Sequence, residues 1–230
     1  MIKDKIIQKT IYFSLFAQIA TTLISIDGLN YDLDEKDKIL KDILLLETFV
    51  QIIEAVFYVW VILALKDLNI MTPRRYIDWM LTTPTMLIST IIFMEYLKGT
   101  KIIRFNEFFV EHKDNIIKIA LYNALMLLFG YLGETGRINK KISIPIGFGF
   151  FYLSFKNIYD NYAKYTDLGN KLFKFLVICW ASYGIAAMTD IKTKNISYNL
   201  LDIVSKNFYG LFIYYYILHI TGNLNNSLLR

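Results

Sequence analysis

The sequence has a single cysteine, Cys179, which lies within an apolar run. One cysteine cannot form a disulfide within the chain, and the sequence has too few thiols for a cysteine-rich metal site. We therefore expect Cys179 to be a small core residue, and we expect no bound metal ion.

A basic face with interleaved aromatic side chains is also missing, although the formal net charge is +5. The lysines and arginines lie mostly at the ends of apolar runs, where they would anchor helices at a membrane interface. This pattern excludes nucleic acid as a partner. The first apolar stretch is long enough to span a bilayer and lacks a small-residue cleavage site after it, which indicates a mature helix.

The sequence is rich in apolar residues. Hydrophobic residues make up 55% of the 230 residues and aromatic residues 16%, and the mean hydropathy is +0.39. This composition is too apolar for a water-soluble domain and indicates an integral membrane protein whose main partner is the lipid bilayer. We expect residues 1–230 to form one domain.

Windows of about 20 residues identify about seven apolar segments. None of them shows the period-2 alternation of a barrel strand, so each is predicted to be a transmembrane helix. The segments are residues 6–26, 43–65, 76–96, 116–132, 142–162, 172–188 and 196–220.

The connections between these segments are mostly short and polar, as in residues 27–41, 66–74 and 133–141. Short connections make consecutive helices neighbours, so the predicted fold is all-α, a seven-transmembrane-helix bundle. Residues 97–115 alternate apolar and charged side chains, which predicts an amphipathic segment on the membrane surface. The slight excess of Lys and Arg in alternate loops favours an outside N-terminus and a cytoplasmic C-terminus.

The third segment carries polar residues that do not belong in a bilayer. Arg75, Asp78, Thr82 and Ser89 fall close to one helix face. An Asp or Arg at the centre of a membrane costs about 2.5 to 3.5 kcal/mol even on lenient scales. This face is therefore predicted to point into the bundle.

The last segment supplies opposite charges, because Asp202 and Lys206 are four positions apart and lie one turn apart on the same side. One interpretation is a structural ion pair that holds two helices together. The other is chemical, since a desolvated lysine amine is nucleophilic and condenses with an aldehyde to a Schiff base. Asp78 and Asp202 would then be counterions of the resulting cation, and Arg75 would balance their charge.

The stretches 75–84 (RYIDWMLTTP) and 201–206 (LDIVSK) resemble the microbial, or type 1, rhodopsins, and the resemblance runs through most of the chain. It implies that Lys206 carries all-trans-retinal as a protonated Schiff base in the bundle core. It also implies that Asp78 is the primary counterion and proton acceptor, Asp202 the second counterion, and Arg75 a gate on the extracellular side.

The same resemblance implies a ring pocket, with packing against neighbouring helices as the alternative role for each residue. Its predicted residues are Trp79, Thr83, Asn123, Met126, Gly130, Trp180 and Tyr183, with Gly147 and Phe151 as the candidates from the fifth segment.

The chain departs from the family pattern in three places. Gly184 and Ala187 replace a proline and a tryptophan, which predicts a looser pocket near the ring. Ser89 replaces the internal proton donor, and a serine hydroxyl cannot act as that donor by itself near neutral pH. The triplet of Asp78, Thr82 and Ser89 resembles the viral branch of the family.

The third departure concerns the extracellular carboxylates that release protons in the family. Lys194 occupies one of these positions. Asp190 and Glu134 are only weak substitutes for the missing pair.

Polar residues of the first, second and last segments predict an ion path. Glu47 and Glu54 lie on one face of the second segment, and Ser14, Glu54 and Asn207 resemble the central gate of channelrhodopsins. The alternative is a hydrogen-bond cluster that bridges helices. These features favour, by a small margin, a light-gated cation channel over an outward proton pump.

A sensor with a separate transducer is a third alternative. In every case the protein is not an enzyme. Its other partners would be protons or monovalent cations, and a homo-oligomer remains open.

Overall fold

The computed structural model describes residues 4–64 and 68–222, and every regular element in these ranges is helical. A 3₁₀ turn, Ala163–Tyr165, precedes α7, and a π-helical turn, Ile203–Asn207, joins α8 to α9 without interruption. The helices are α1 Lys5–Gly28, α2 Ile39–Ala64, α3 Leu68–Leu97, α4 Phe105–Glu111, α5 Lys113–Glu134, α6 Lys140–Asn161, α7 Asp167–Ala186, α8 Ile191–Asp202 and α9 Phe208–Ile220.

The helices form the predicted bundle, with the continuous α8–α9 helix as its seventh long member. Consecutive long helices pack against each other, and α8 and α9 return to contact α1, which closes the ring. The helices α1, α2, α3 and α5 are long and apolar enough by themselves to cross a membrane. The predicted all-α seven-helix fold is confirmed.

Side-chain caps begin several of these helices. Asp4 accepts hydrogen bonds from the main chain at the start of α1, and Asp190 does the same for α8. Asn139 caps α6 and Thr166 caps α7. Each cap satisfies main-chain N–H groups that have no partner within the helix, so these polar residues set where the helices start.

The distribution of side chains is inverted relative to a water-soluble protein. On α1, Ser14 and Gln18 are fully buried, whereas Phe13 and Phe16 are 57% and 69% exposed. The same inversion holds on α2, where Glu54 is buried and Val56 is 64% exposed. An apolar surface around a polar interior requires an apolar solvent, so the chain is an integral membrane protein.

Two sequence predictions need correction. The connection predicted at residues 66–74 is shorter, because α3 already begins at Leu68 and continues through Pro73; residues 65–67 lie outside the described ranges. Membrane helices tolerate proline because neighbouring groups satisfy the freed carbonyl. In the segment 97–115 only Leu97 at the end of α3, the short helix α4 and the start of α5 are helical, and Phe108 of α4 is buried against the bundle.

The cap of α7 can be tested by substitution. Thr166 accepts a hydrogen bond from the main-chain N–H of Gly169 at 3.1 Å. Thr166→Ala removes this bond, and we expect a destabilisation of about 1 kcal/mol, measured as a lower thermal midpoint in detergent. Thr166→Ser keeps the hydroxyl and serves as the control, and equal midpoints for the two variants would contradict the capping role.

Candidate functional site

Lys206 lies within the π-helical turn Ile203–Asn207, a type of turn that is rare and frequently found at functional sites. Its amine nitrogen lies 2.9 Å from Asp78 Oδ2 and 3.7 Å from Asp202 Oδ1. A third carboxylate, Glu54, hydrogen-bonds to the same nitrogen. The four side chains are at most 2% exposed, so this is a buried cluster of charge.

Asp202 is held by several donors. The hydroxyl of Tyr58 donates to its Oδ2 at 2.7 Å, and the hydroxyl of Tyr183 donates to its Oδ1 at 2.8 Å. The guanidinium of Arg75 adds a hydrogen-bonded ion pair at 2.8 Å. A carboxylate with this many donors is stabilised as an anion, so Asp202 is the fixed negative charge of the cluster.

Arg75 also hydrogen-bonds to the side chain of Asn199, which the sequence analysis did not single out. Asn199 lies three residues before Asp202 and therefore on the same face of α8. Its amide donates to Thr10 Oγ1 at 2.8 Å, and its main-chain carbonyl accepts from Ser14 Oγ at 2.7 Å. Neutral polar groups thus continue from Arg75 towards the start of α1.

The structure brings together the four charges predicted from the sequence and adds Glu54 to them. Three carboxyl groups then face two cations, Lys206 and Arg75. Because an uncompensated buried charge is strongly unfavourable, the cluster is expected to hold one additional proton. Asp78 and Glu54 each keep one oxygen without a hydrogen-bond partner.

An apolar cavity adjoins Lys206. Asn123 is not a lining residue of this cavity, but the Asn123 amide donates a hydrogen bond at 2.8 Å to Oγ1 of Thr83, which is one. The lining includes the other predicted pocket residues, Trp79, Thr83, Met126, Gly130, Gly147, Phe151, Trp180 and Tyr183.

The predicted loosening of this pocket holds only in part. A Cβ atom added at Gly184 would overlap the ring of Phe148, so that ring already fills the space beside the glycine. Phe148 was not among the predicted pocket residues, although it directly follows Gly147 on α6, which was predicted. Ala187 does line the cavity, which extends past it to Ser143 on α6.

On the other side of Lys206, polar side chains of α1, α2 and α9 form a buried column. Asn207 donates to Gln18 Oε1 at 3.1 Å and also to Thr21, and Ser25 donates to Gln51 Oε1 at 3.2 Å. Gln18, Gln51 and Asn207 each keep one buried polar atom without a partner. Such atoms usually bind internal water, so this polar column is suited to hydration.

The predicted gate residues Ser14, Glu54 and Asn207 lie along this column but do not hydrogen-bond to one another. Ser14 binds the main chain of Asn199, Glu54 binds Lys206, and Asn207 binds residues of α1. The three side chains therefore do not form a gate in which they bind one another directly, because each of them binds a different partner.

Glu47 and Ser89 form a second buried polar contact within the bundle. Glu47 lies nearer the start of α2 than Glu54, and Ser89 lies nearer the end of α3 than Asp78. Ser89 hydrogen-bonds to Glu47 and lies 2.8 Å from the main-chain carbonyl of Met86. A hydroxyl has one hydrogen, so Ser89 can donate to only one of these two acceptors at a time. Thr82, the remaining member of the predicted triplet, donates to the main-chain carbonyl of Asp78 at 3.0 Å.

The extracellular carboxylates considered from the sequence have other partners. Glu134 accepts from Lys194 at 2.8 and 2.9 Å and from Lys140 at 2.9 Å. Asp190 caps α8 at the surface, where hydrogen bonds from Thr193 hold the pKa of Asp190 below its usual value. Neither of these two carboxyl groups contacts Arg75, whose described side-chain partners are Tyr58, Asn199 and Asp202.

Cys179 is buried in α7 and is not bonded to another cysteine. Within residues 4–64 and 68–222, His, Cys, Asp and Glu side chains form no group of three suited to a metal ion.

Comparisons with known proteins agree with this geometry. The sequence profile of bacteriorhodopsin-like proteins matches residues 9–220. A search of curated protein sequences gave no match. Because the profile covers most of the chain, the protein belongs to the bacteriorhodopsin-like family, the microbial rhodopsins, whose members bind retinal through a lysine Schiff base.

Solved structures show the same fold. The viral rhodopsin OLPVRII matches with a TM-score of 0.82 and 25% identity, over 93% of this chain and 98% of that one. A blue-light-absorbing proteorhodopsin from Med12 matches with a TM-score of 0.71 and 19% identity, over 95% and 99% of the two chains. Halorhodopsin from Halobacterium salinarum matches with a TM-score of 0.70 and 10% identity, over 95% and 96%. The predicted family is confirmed, and the first match agrees with the viral branch.

The contact between Gly184 and Phe148 can be tested by adding a methyl group. Gly184→Ala forces the Phe148 ring to move, and we expect the overpacking to destabilise the protein by about 1–3 kcal/mol. The measurement is the thermal midpoint in detergent. Gly149→Ala is the matched control, because its Cβ would have no neighbour within 4 Å. Equal midpoints for the two variants would show that Phe148 does not occupy this space.

Proposed function

We propose that this protein is a light-gated cation channel that carries all-trans-retinal on Lys206. The observation that carries the channel function is the buried polar column of α1, α2 and α9, which passes directly beside Lys206. The cavity on the opposite side of the same lysine supports retinal binding. One residue thus connects light absorption to the column.

The residues around Lys206 fit a retinal. The lysine side chain lines the cavity together with the aromatic rings of Trp79, Trp180 and Tyr183. Asp78 Oδ1, which has no partner, is available as an acceptor beside the amine. A bound retinal would supply the absorption of visible light and a change of shape, and all other steps belong to the protein's own groups.

Glu54 would keep the column closed at rest. It belongs to α2, and its hydrogen bond to Lys206 joins α2 to the last helix across the column. Transfer of the proton from Lys206 Nζ to Asp78 Oδ2, 2.9 Å away, would break an N–H bond and form an O–H bond. Lys206 would then be neutral, and Glu54 would lose the cation that holds it in place.

The charges around the column favour cations. Asp202 stays ionised because Arg75 and two tyrosines hold it, and Glu54 adds a carboxyl group within the path. Carboxylate and amide oxygens replace part of the hydration shell of a permeating cation. Monovalent cations and protons are the proposed cargo, with the N-terminus outside and the C-terminus in the cytoplasm.

A second candidate is an outward proton pump, and the contact of Glu47 with Ser89 favours it. This contact places a carboxyl group on one side of Lys206, and Asp202 with Arg75 lies on the other side. Such an arrangement could return a proton to Lys206 from Glu47 after Asp78 has accepted one. It compensates for the missing carboxyl group at Ser89.

Photocurrents in voltage-clamped cells separate the two functions. For a channel we expect a current that reverses sign near the cation equilibrium potential, because flow follows the electrochemical gradient. A current of one sign at all voltages, slowed by Glu47→Gln, would instead support the pump. Lys206→Ala is the control and should be colourless and without current.

Glu54→Gln tests the proposed closure. The amide cannot form the ion pair with Lys206, so we expect a change of ion selectivity and a current that persists longer after illumination. Glu107→Gln, at a side chain of α4 that is 64% exposed, is the matched control and should behave as the wild type. Unchanged selectivity and closing in Glu54→Gln would contradict the role of Glu54 in the gate.

A further inference from the structure

We propose that the retinal cavity contains a polar subsite, formed by the hydroxyl groups of Tyr76 and Ser143, that binds an oxygen atom on the ring of the chromophore. The preferred ligand would be a ring-oxygenated retinal, bearing a hydroxyl or keto group. This inference rests on the proposed binding of retinal at Lys206.

The two hydroxyl groups belong to side chains at the wall of an apolar cavity. Ser143 is fully buried and its Oγ has no hydrogen-bond partner. Tyr76 is 8% exposed, and its hydroxyl lies beside Gly130 of α5. Both residues line the cavity. A buried hydroxyl without a partner is unfavourable, so a ligand oxygen at this place would be stabilised.

Two glycines of α5 leave room for these hydroxyl groups. A Cβ atom at Gly130 would lie 2.8 Å from the hydroxyl oxygen of Tyr76, and a Cβ atom at Gly133 would overlap the hydroxyl oxygen of Ser143. Gly130 and Gly133 are three residues apart, on one face of α5. The two hydroxyl groups therefore lie against the same face of α5, about one turn apart.

The subsite lies across the cavity from the point of attachment. Ser143 belongs to α6, which packs against α5 and α7, whereas the helix of Lys206 packs against α1, α2, α3 and α7. A chain-like ligand that is attached to Lys206 and extends through the cavity would therefore have its far end near α5 and α6. Ala187 lines the same cavity, and its small side chain leaves room there.

The chemistry of the two groups defines the ligand class. Each hydroxyl can donate one hydrogen bond and accept others, so the pair suits an oxygen that accepts from both. A ring hydroxyl or a ring keto oxygen meets this requirement, and the unsubstituted ring of retinal does not.

The test compares two probes, all-trans-retinal and all-trans-3-hydroxyretinal, added to the retinal-free protein in detergent. Affinity is measured from the visible absorption band at increasing ligand concentration. For the wild type we expect the hydroxylated probe to bind about tenfold more tightly than retinal, which corresponds to about 1.4 kcal/mol. In Ser143→Ala and in Tyr76→Phe this preference should fall to near unity.

Ser154→Ala is the matched control, since Ser154 is a buried serine of the same helix that donates to the main chain of α5. It should keep the wild-type preference. Equal preferences in the wild type and both subsite variants would overturn the subsite while leaving the proposed function intact. Failure of the wild type to bind either probe would refute retinal binding itself, and the subsite with it.

Discussion

The burial of Lys206 among carboxyl groups is the constraint on which the rest of the structure depends. An amine enclosed in a membrane bundle requires compensation, and Asp78, Asp202 and Glu54 supply it from three helices. Arg75 balances the excess negative charge in turn. Because removing one member of a buried charge cluster leaves another unpaired, α2, α3 and the last helix are tied together at this point.

The lysine also separates two different environments. On the side of α5, α6 and α7 lies an apolar, aromatic cavity, and on the side of α1 and α2 lies a polar column with unpartnered atoms. The π-helical turn that carries Lys206 lies between them. A change at one nitrogen atom can therefore alter the hydrogen bonds of the column, which is the physical basis of the proposed gating.

Helix periodicity explains why much of this was predictable. Arg75, Asp78 and Thr82 lie on one face of α3, and Asp202 and Lys206 lie one turn apart, so a bundle must direct them to a common interior. The pocket residues were predicted from the resemblance to the family and not from periodicity. Tyr58 and Asn199 were not predicted as partners of the cluster, although each lies one turn from a predicted residue on its own helix.

The sequence by itself determined the membrane location, the number of long helices and the identity of the central charges, because each depends on composition or on spacing along one helix, and its motifs 75–84 and 201–206 indicated the family by resemblance. Only the tertiary structure decided which partners the polar side chains take. It placed Glu54 on Lys206 instead of on Ser14 and Asn207, filled the space at Gly184 with Phe148, and joined Glu47 to Ser89. These contacts depend on the rotation and depth of helices relative to one another, which no periodicity within a single helix encodes.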